Sequence, residues 1–311
     1  HKNVAPGLFL SSGGAITADY AFIALTSYFL LESKDRPVIR RFLTFGAQVL
    51  TLYVIRFIVI RGLWGFHSGN WFVEDYILGG AWWFVAPYMV LLLVYPWLNR
   101  LMERLSRGWH GMLCLGLAIW FVINGMTLQM NFVNDLVAFL LTYFVMDDYR
   151  RWIFPTGKKW MAGIYMTGFL FTFFYAWYVK MPGVMANDDA ANLVVKHLIG
   201  KYAPLQFVMG LAVFFFFRAL RLRQSPLINR MAKSVFFVFL LHETVMGVYW
   251  YFGKINGQYP YYSVAGFWGW LVVYAATCLL VGIVAQKLYT GFLAPLWKRG
   301  IDAFCKKCGF Q

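Results

Sequence analysis

Apolar residues along the chain fall into long runs separated by short charged or turn-rich segments. The runs predict nine helices: Asp19–Leu31, Phe42–Ile60, Tyr76–Leu98, Gly111–Met126, Phe132–Met146, Trp160–Val179, Pro204–Phe217, Ser234–Phe252 and Val264–Gln286. A helix needs about 20 apolar residues to cross the ~30 Å hydrocarbon core of a bilayer. Within that core the backbone must satisfy its own hydrogen bonds, which a helix does. The pattern therefore predicts an all-α, polytopic membrane helical bundle with nine visible transmembrane helices. The shorter runs are expected to extend into their flanking residues.

Charge on the connecting segments supports that reading. One alternating set holds Lys34, Arg36, Arg40 and Arg41, then Arg100, Arg104 and Arg107, then Arg150, Arg151, Lys158 and Lys159. The same set continues through Arg218–Lys233 and Lys287–Lys307, and it carries 21 of the 28 Lys and Arg residues. The opposite set holds only Lys2, Arg61, Lys180, Lys196, Lys201 and Lys254, while Arg56 lies within a run. The positive-inside rule makes the rich set cytoplasmic, with residue 1 outside and the C-terminus inside. A chain that starts in the cytoplasm then needs one more helix before His1, so ten are expected in the full-length protein. No leader with a cleavage site is visible.

Composition agrees. Of the 311 residues, 61% are hydrophobic, 21% aromatic and 13% charged, whereas a soluble domain carries about 25% charged residues. The net charge of +15 reads as topology, because it sits on alternate loops, and no nucleic-acid partner is expected. With no linker or repeat in view, residues 1–288 are expected to form one transmembrane domain. Residues 289–311 alternate apolar and basic positions and are expected to form a cytoplasmic amphipathic tail along the headgroups of the membrane lipids.

Four cysteines offer little chemistry. Cys114 and Cys278 fall within apolar runs as small fillers. Cys305 and Cys308 form a single C-x2-C, without the second pair that tetrahedral zinc requires, so no metal is expected.

Charges inside the runs are more informative, because they are costly there and usually face the protein interior. The segment "SVFFVFLLHETVMGVYWYF" sets His242 beside Glu243 at the middle of its helix. Adjacent helical positions do not face the same way. Two readings stand: an interhelical polar clamp, or a proton-handling or substrate-contacting pair. Arg56 either snorkels toward headgroups or presents a cation to a central cavity. Asp19 and Asp135 suit helix-start positions. Asp147 and Asp148 beside Arg150 and Arg151 suit solvated ion pairs, and His67, His110 and His197 read as incidental. Trp and Tyr crowd the span ends, as in an interfacial belt, and such rings also line carbohydrate sites.

Several segments, in order, resemble the acyltransferase-3 family of integral membrane acyltransferases. "ADYAFIALTSYFLLES" resembles its "FF-x-x-SG-[YF]-L" helix, with Thr26-Ser27 in place of Ser-Gly, followed by the basic "KDRPVIRRF". "AWWFVAPYMVLLLVYPWLNRLMERL" resembles its "LWFL…Y…P" helix, with Ala81 where many members have His. "SPLINRMAKSVFFVFLLHETV" resembles the late helix that ends in His. The resemblance implies acyl transfer, usually of acetyl, from cytoplasmic acyl-CoA (acetyl-CoA) to a hydroxyl of a cell-surface or lipid-linked glycan. It implies a bacterial cytoplasmic membrane as the location.

Family members carry a catalytic His about 20 residues before the "FF" pattern, and His1 precedes Phe22 by 21. His1 is thus the first choice for catalytic base, or else simply the residue at which the chain was cut. His242 and Glu243 would position substrate or relay a proton, and Arg56 would stabilise an oxyanion if it faces inward. Arg36, Arg40, Arg41, Arg230 and Lys233 would grip acyl-CoA phosphates, and Trp82, Trp83 and Tyr28 would contact substrate. The competing reading is a secondary transporter or small-molecule uptake module of the same fold.

Overall fold

The computed structural model describes residues 12, 14–33, 38–64, 83–127, 132–152, 157–186, 197–220, 223, 225–242 and 264–310. Among these residues there is no strand. In chain order the helices are α1 (Ala15–Leu31), α2 (Val38–Trp64), α3 (Val85–Arg104), α4 (Arg107–Thr127), α5 (Phe132–Arg151) and α6 (Lys158–Ala186). They continue as α7 (Pro204–Ala219), α8 (Pro226–Ala232), α9 (Val264–Leu288) and α10 (Ala294–Lys307). Residues 235–242 are also helical. Local sequence explains several of the ends. Pro204 and Pro226 open α7 and α8, where a missing N–H costs nothing. The Ser225 hydroxyl caps α8 by accepting from the Ile228 amide. In α5, Asp135 lies in the first turn and Arg150 and Arg151 in the last, each matched to the helix dipole.

Among the described residues, five stretches are long and apolar enough to cross a membrane: Val38–Ile58, Val85–Arg104, Arg107–Gly125, His197–Ala219 and Trp268–Lys307. The apolar helix Ile16–Leu31 is shorter. Large apolar side chains stay exposed along α4, with Trp109, Met112, Leu115, Trp120 and Ile123 on its outer side. Water does not tolerate such a surface, but lipid tails are as apolar as these side chains. This is a helical, multi-pass membrane protein.

The described residues fall into two compact units. The first is drawn from Asn3–Lys34 and Val94–Leu222, the second from Asp35–Leu93 and Arg223–Gln311. In the first unit α7 packs against α1 and α6, and α5 packs against α1 and α4. Tyr20 of α1 is fully buried, edge-on to Phe121 of α4 and Phe207 of α7. Gly210 of α7 makes this approach possible, since a Cβ there would lie 2.4 Å from the Tyr20 Cβ and 2.8 Å from the Thr17 carbonyl oxygen.

The second unit gathers α2, the start of α3, residues 235–242 and α9 around Leu52, Val85, Phe237, Leu240, Leu241 and Tyr289. Gly282 of α9 again permits close contact, its α-carbon facing the backbone of Val238. A π-helical turn, Tyr289–Leu293, leads from α9 into α10. The tail is thus a continuation of the bundle. Ile301 and Cys305 of α10 pack on Ala47 and Leu43 of α2. The Trp297 indole donates to the Thr51 hydroxyl at 3.0 Å, and Arg40 pairs with Asp302 at 2.6 Å. The amphipathic pattern expected to lie on headgroups therefore buries part of its apolar stripe against a neighbouring helix. Phe292, Leu296 and Phe304 remain exposed.

Candidate active site

In the second unit, three elements bring residues singled out from the sequence toward one core. Leu52 of α2 packs with Val85 at the start of α3 and with Leu240 and Leu241 of residues 235–242. Arg56 follows Leu52 by one helical turn and is only 3% exposed, so it turns into the protein. Trp83 precedes Val85, and rings run in sequence from it: Trp83 to Phe84 at 6.4 Å, Phe84 to Phe239 at 5.4 Å, Phe239 to His242 at 5.8 Å. Apolar patterning put these residues on three separate helices, and packing of those helices links Trp83 to His242.

Hydrogen bonding sets the state of His242. Its Nδ1 is bonded to the Phe239 carbonyl oxygen one turn back. A carbonyl only accepts, so Nδ1 carries the hydrogen, and in the neutral ring Nε2 keeps a lone pair. The His242 carbonyl in turn accepts from the Tyr274 hydroxyl of α9 at 3.0 Å. His242 is half-buried, with its ring held by backbone on one nitrogen.

His1, Arg36, Trp82 and Glu243 lie outside the described residues. Arg40 is exposed and engaged by Asp302, Arg41 is half-buried, and Arg230 and Lys233 are exposed on and just after α8. Tyr28 belongs to the first unit, where the Arg218 guanidinium lies 4.7 Å over its ring.

Two polar clusters in the first unit escaped the sequence reading. One joins α3, α4 and α5. His110 is fully buried, with Nε2 3.3 Å from Asp147 Oδ2 and Nδ1 3.7 Å from Asp148 Oδ1. Asp147, itself 4% exposed, also takes Arg151 Nε at 3.0 Å, and Arg151 Nη1 reaches the Met102 carbonyl at 2.8 Å. Rings of Phe144 and Trp152 close around the imidazole. A cavity of about 280 Å³ adjoins the cluster, lined by Leu31, Asn99, Glu103, Asp147, Arg150 and Arg151. Asp147 is thus not a solvated surface acid and His110 is not an incidental helix-start residue. The i,i+4 spacing of Asp147 and Arg151 was visible in the sequence, but the burial that gives it weight depends on how α4 meets α5.

Nearby, the Tyr143 hydroxyl donates to Asn99 Oδ1 at 2.7 Å, tying α5 to α3. Tyr143→Phe should lower stability by about 1 kcal/mol, the usual worth of one interhelical hydrogen bond. Thermal unfolding of the variant in detergent, beside the parent, measures this.

The second cluster lies where α1, α5 and α7 begin. Asp135 binds Lys201 Nζ at 2.5 Å and accepts the Tyr202 hydroxyl at 2.6 Å. The Tyr20 hydroxyl donates to the Lys201 carbonyl. One turn further along α7, fully buried Gln206 accepts from the Thr17 hydroxyl at 2.6 Å and donates to the carbonyls of Ser12 and Leu198. Asp135 therefore does more than favour its helix start, since it neutralises a lysine 66 residues away.

Apolar outer faces and buried interhelical polar clusters together define the class, a multi-pass helical membrane protein. The chain belongs to the acyltransferase-3 family: that family's profile, described as an acyltransferase domain, matches residues 6–286. It is a membrane acyltransferase. No curated protein and no solved structure matches the chain.

Proposed function

We infer that the protein transfers an acyl group, acetyl in the simplest case, from acyl-CoA to a hydroxyl of a cell-surface or lipid-linked glycan. The observation that carries this reading is the family match from residue 6 to residue 286. In the step proposed, the acceptor hydroxyl oxygen attacks the thioester carbonyl carbon. A C–O bond forms, the hydroxyl proton passes to a base, and the C–S bond breaks as coenzyme A leaves as thiolate and takes up a proton. An alcohol is a poor nucleophile at neutral pH, and a positioned base contributes about 10²–10⁴-fold. His1 is the proposed base, with His242 Nε2 and Glu243 positioning the acceptor or relaying its proton.

Developing negative charge on the carbonyl oxygen needs a preorganised donor. The inward-turned Arg56 supports that assignment. Arg36, Arg40, Arg41, Arg230 and Lys233 would hold donor phosphates from the cytoplasmic side, and guanidinium groups suit phosphate geometry. Trp82, Trp83 and Tyr28 offer faces to a sugar. The topology proposed is nine spans in the chain, with a cytoplasmic C-terminus in a bacterial cytoplasmic membrane.

Transfer of radiolabel from acetyl-CoA in membranes that contain the protein and candidate glycan acceptors tests the reading. The parent should transfer label, and His1→Ala should lower transfer by about 100-fold or more. Absence of transfer by a well-folded parent across several acyl-CoA donors and acceptors would overturn it. Unchanged transfer by His1→Ala would move the base elsewhere.

A further inference from the structure

A second cavity, of about 600 Å³, runs between α1 and α7. Its walls are apolar: Phe22, Leu25 and Phe29 on α1, Val213 and Phe217 on α7. Leu25, Phe29 and Phe217 are more than 40% exposed, so the groove is open along the outer side of the first unit. On α1 it extends from Ala18 to Phe29, about 16 Å at 1.5 Å per residue. That is about half the ~30 Å hydrocarbon thickness, the reach of one acyl chain in one leaflet.

The groove ends on charge. Arg218, in the last turn of α7, lines that end together with Tyr28. Its guanidinium lies 4.7 Å from the Tyr28 ring centre and 5.3 Å from that of Tyr149. Ring faces hold an arginine in place while leaving its N–H edge for an oxyanion. Glu32 is hydrogen-bonded to the Tyr28 side chain, and Arg218 supplies the cation that lines the mouth. By the positive-inside pattern these residues belong to the basic, cytoplasmic ends of their helices.

We propose that this groove is a selective site for an anionic phospholipid of the cytoplasmic leaflet, with one acyl chain between α1 and α7 and the phosphate on Arg218. An apolar slot one leaflet deep with a cation at its headgroup end fits a lipid better than a soluble anion. Apart from Tyr28, whose ring is also proposed to face substrate, the groove shares no residue with the proposed acyl-transfer site.

Native mass spectrometry of the full chain, released from nanodiscs of equal phosphatidylglycerol and phosphatidylcholine, tests the proposal. Phosphatidylglycerol should be retained about tenfold over phosphatidylcholine, the worth of one charge-assisted hydrogen bond. Arg218→Gln, at an exposed position, should fold normally and lose that preference. Leu25→Trp fills the groove and should lower retention of both lipids. Equal retention of the two lipids by the parent would overturn the proposal, as would a preference that survives Arg218→Gln. Displacement of phosphatidylglycerol by equimolar acetyl-CoA would also overturn it, by assigning the mouth to the acyl donor.

Discussion

Gly210→Val should separate α1 from α7 and abolish the native packing of the first unit, and Gly210→Ala alone should lower stability by about 2–3 kcal/mol, the upper range for overpacking. A methyl group at this position would meet the Tyr20 Cβ at 2.4 Å, the Thr17 carbonyl oxygen at 2.8 Å and the Ala21 amide nitrogen at 3.1 Å. These are backbone atoms and a β-carbon, so no rotamer change relieves the clash and the helices themselves must move. Small residues at such crossings are how membrane helices approach closely without a hydrophobic force between them. Displacing α1 also stretches the Thr17–Gln206 and Tyr20–Lys201 hydrogen bonds, so the loss is cooperative. Gly116→Ala is the control: nothing lies within 4 Å of its added methyl, and α4 surrounds it. Its removal of a helical glycine should be neutral or stabilising by up to about 1 kcal/mol. Thermal unfolding of the two alanine variants in detergent separates them, and equal Tm values would refute the close-contact account.

Asp135→Ala should cost about 3 kcal/mol. It removes the carboxylate that pairs with the Lys201 ammonium, whose side chain is 11% exposed, and that accepts from the Tyr202 hydroxyl. Removing one member of a buried pair typically costs about 3–5 kcal/mol. The lower end applies here because a chain unfolded within the bilayer also finds polar partners. The double variant Asp135→Leu with Lys201→Met should recover most of the loss, since it removes both charges and keeps apolar bulk. Tm values of the two single variants and the double variant form the cycle that checks it. A double variant no more stable than Asp135→Ala would show that the pair is not the source of the effect.

These two sites show where sequence patterning stops. Runs such as Phe42–Ile60 and Pro204–Phe217, now covered by α2 and α7, were legible because a span must be apolar and helical over its whole length, a constraint local to the run. Starts of helices were legible within a few residues where Pro204 or Asp135 marked them, whereas the short α8 that opens at Pro226 was not read from the sequence. The partner of a buried polar residue was not. Thr17 meets Gln206 across 189 positions, and Asp135 meets Lys201 across 66. Those meetings depend on the rotation of each helix about its axis and on which helices are neighbours, and hydropathy carries neither. His110 and Asp147 were misread for the same reason: each sits near a helix end, where exposure is the common outcome, and only the packing of α4 on α5 buries them.

The sequence by itself determined that the chain is a bundle of apolar helices, and it carried the motifs that place it in an acyltransferase family, because both are written in consecutive residues. It marked His242 and Arg56 as unusual by the cost of charge among apolar neighbours. Tertiary structure decided how they are held: Arg56 turns inward beyond Leu52, and His242 bonds its Nδ1 to the Phe239 carbonyl. It also decided that the basic tail packs on α2, where Arg40 meets Asp302, and that Tyr28 and Arg218 share one groove. The physical reason is the same throughout. Burial in lipid is a property of one segment at a time, whereas an ion pair, a ring stack or a groove exists only between segments.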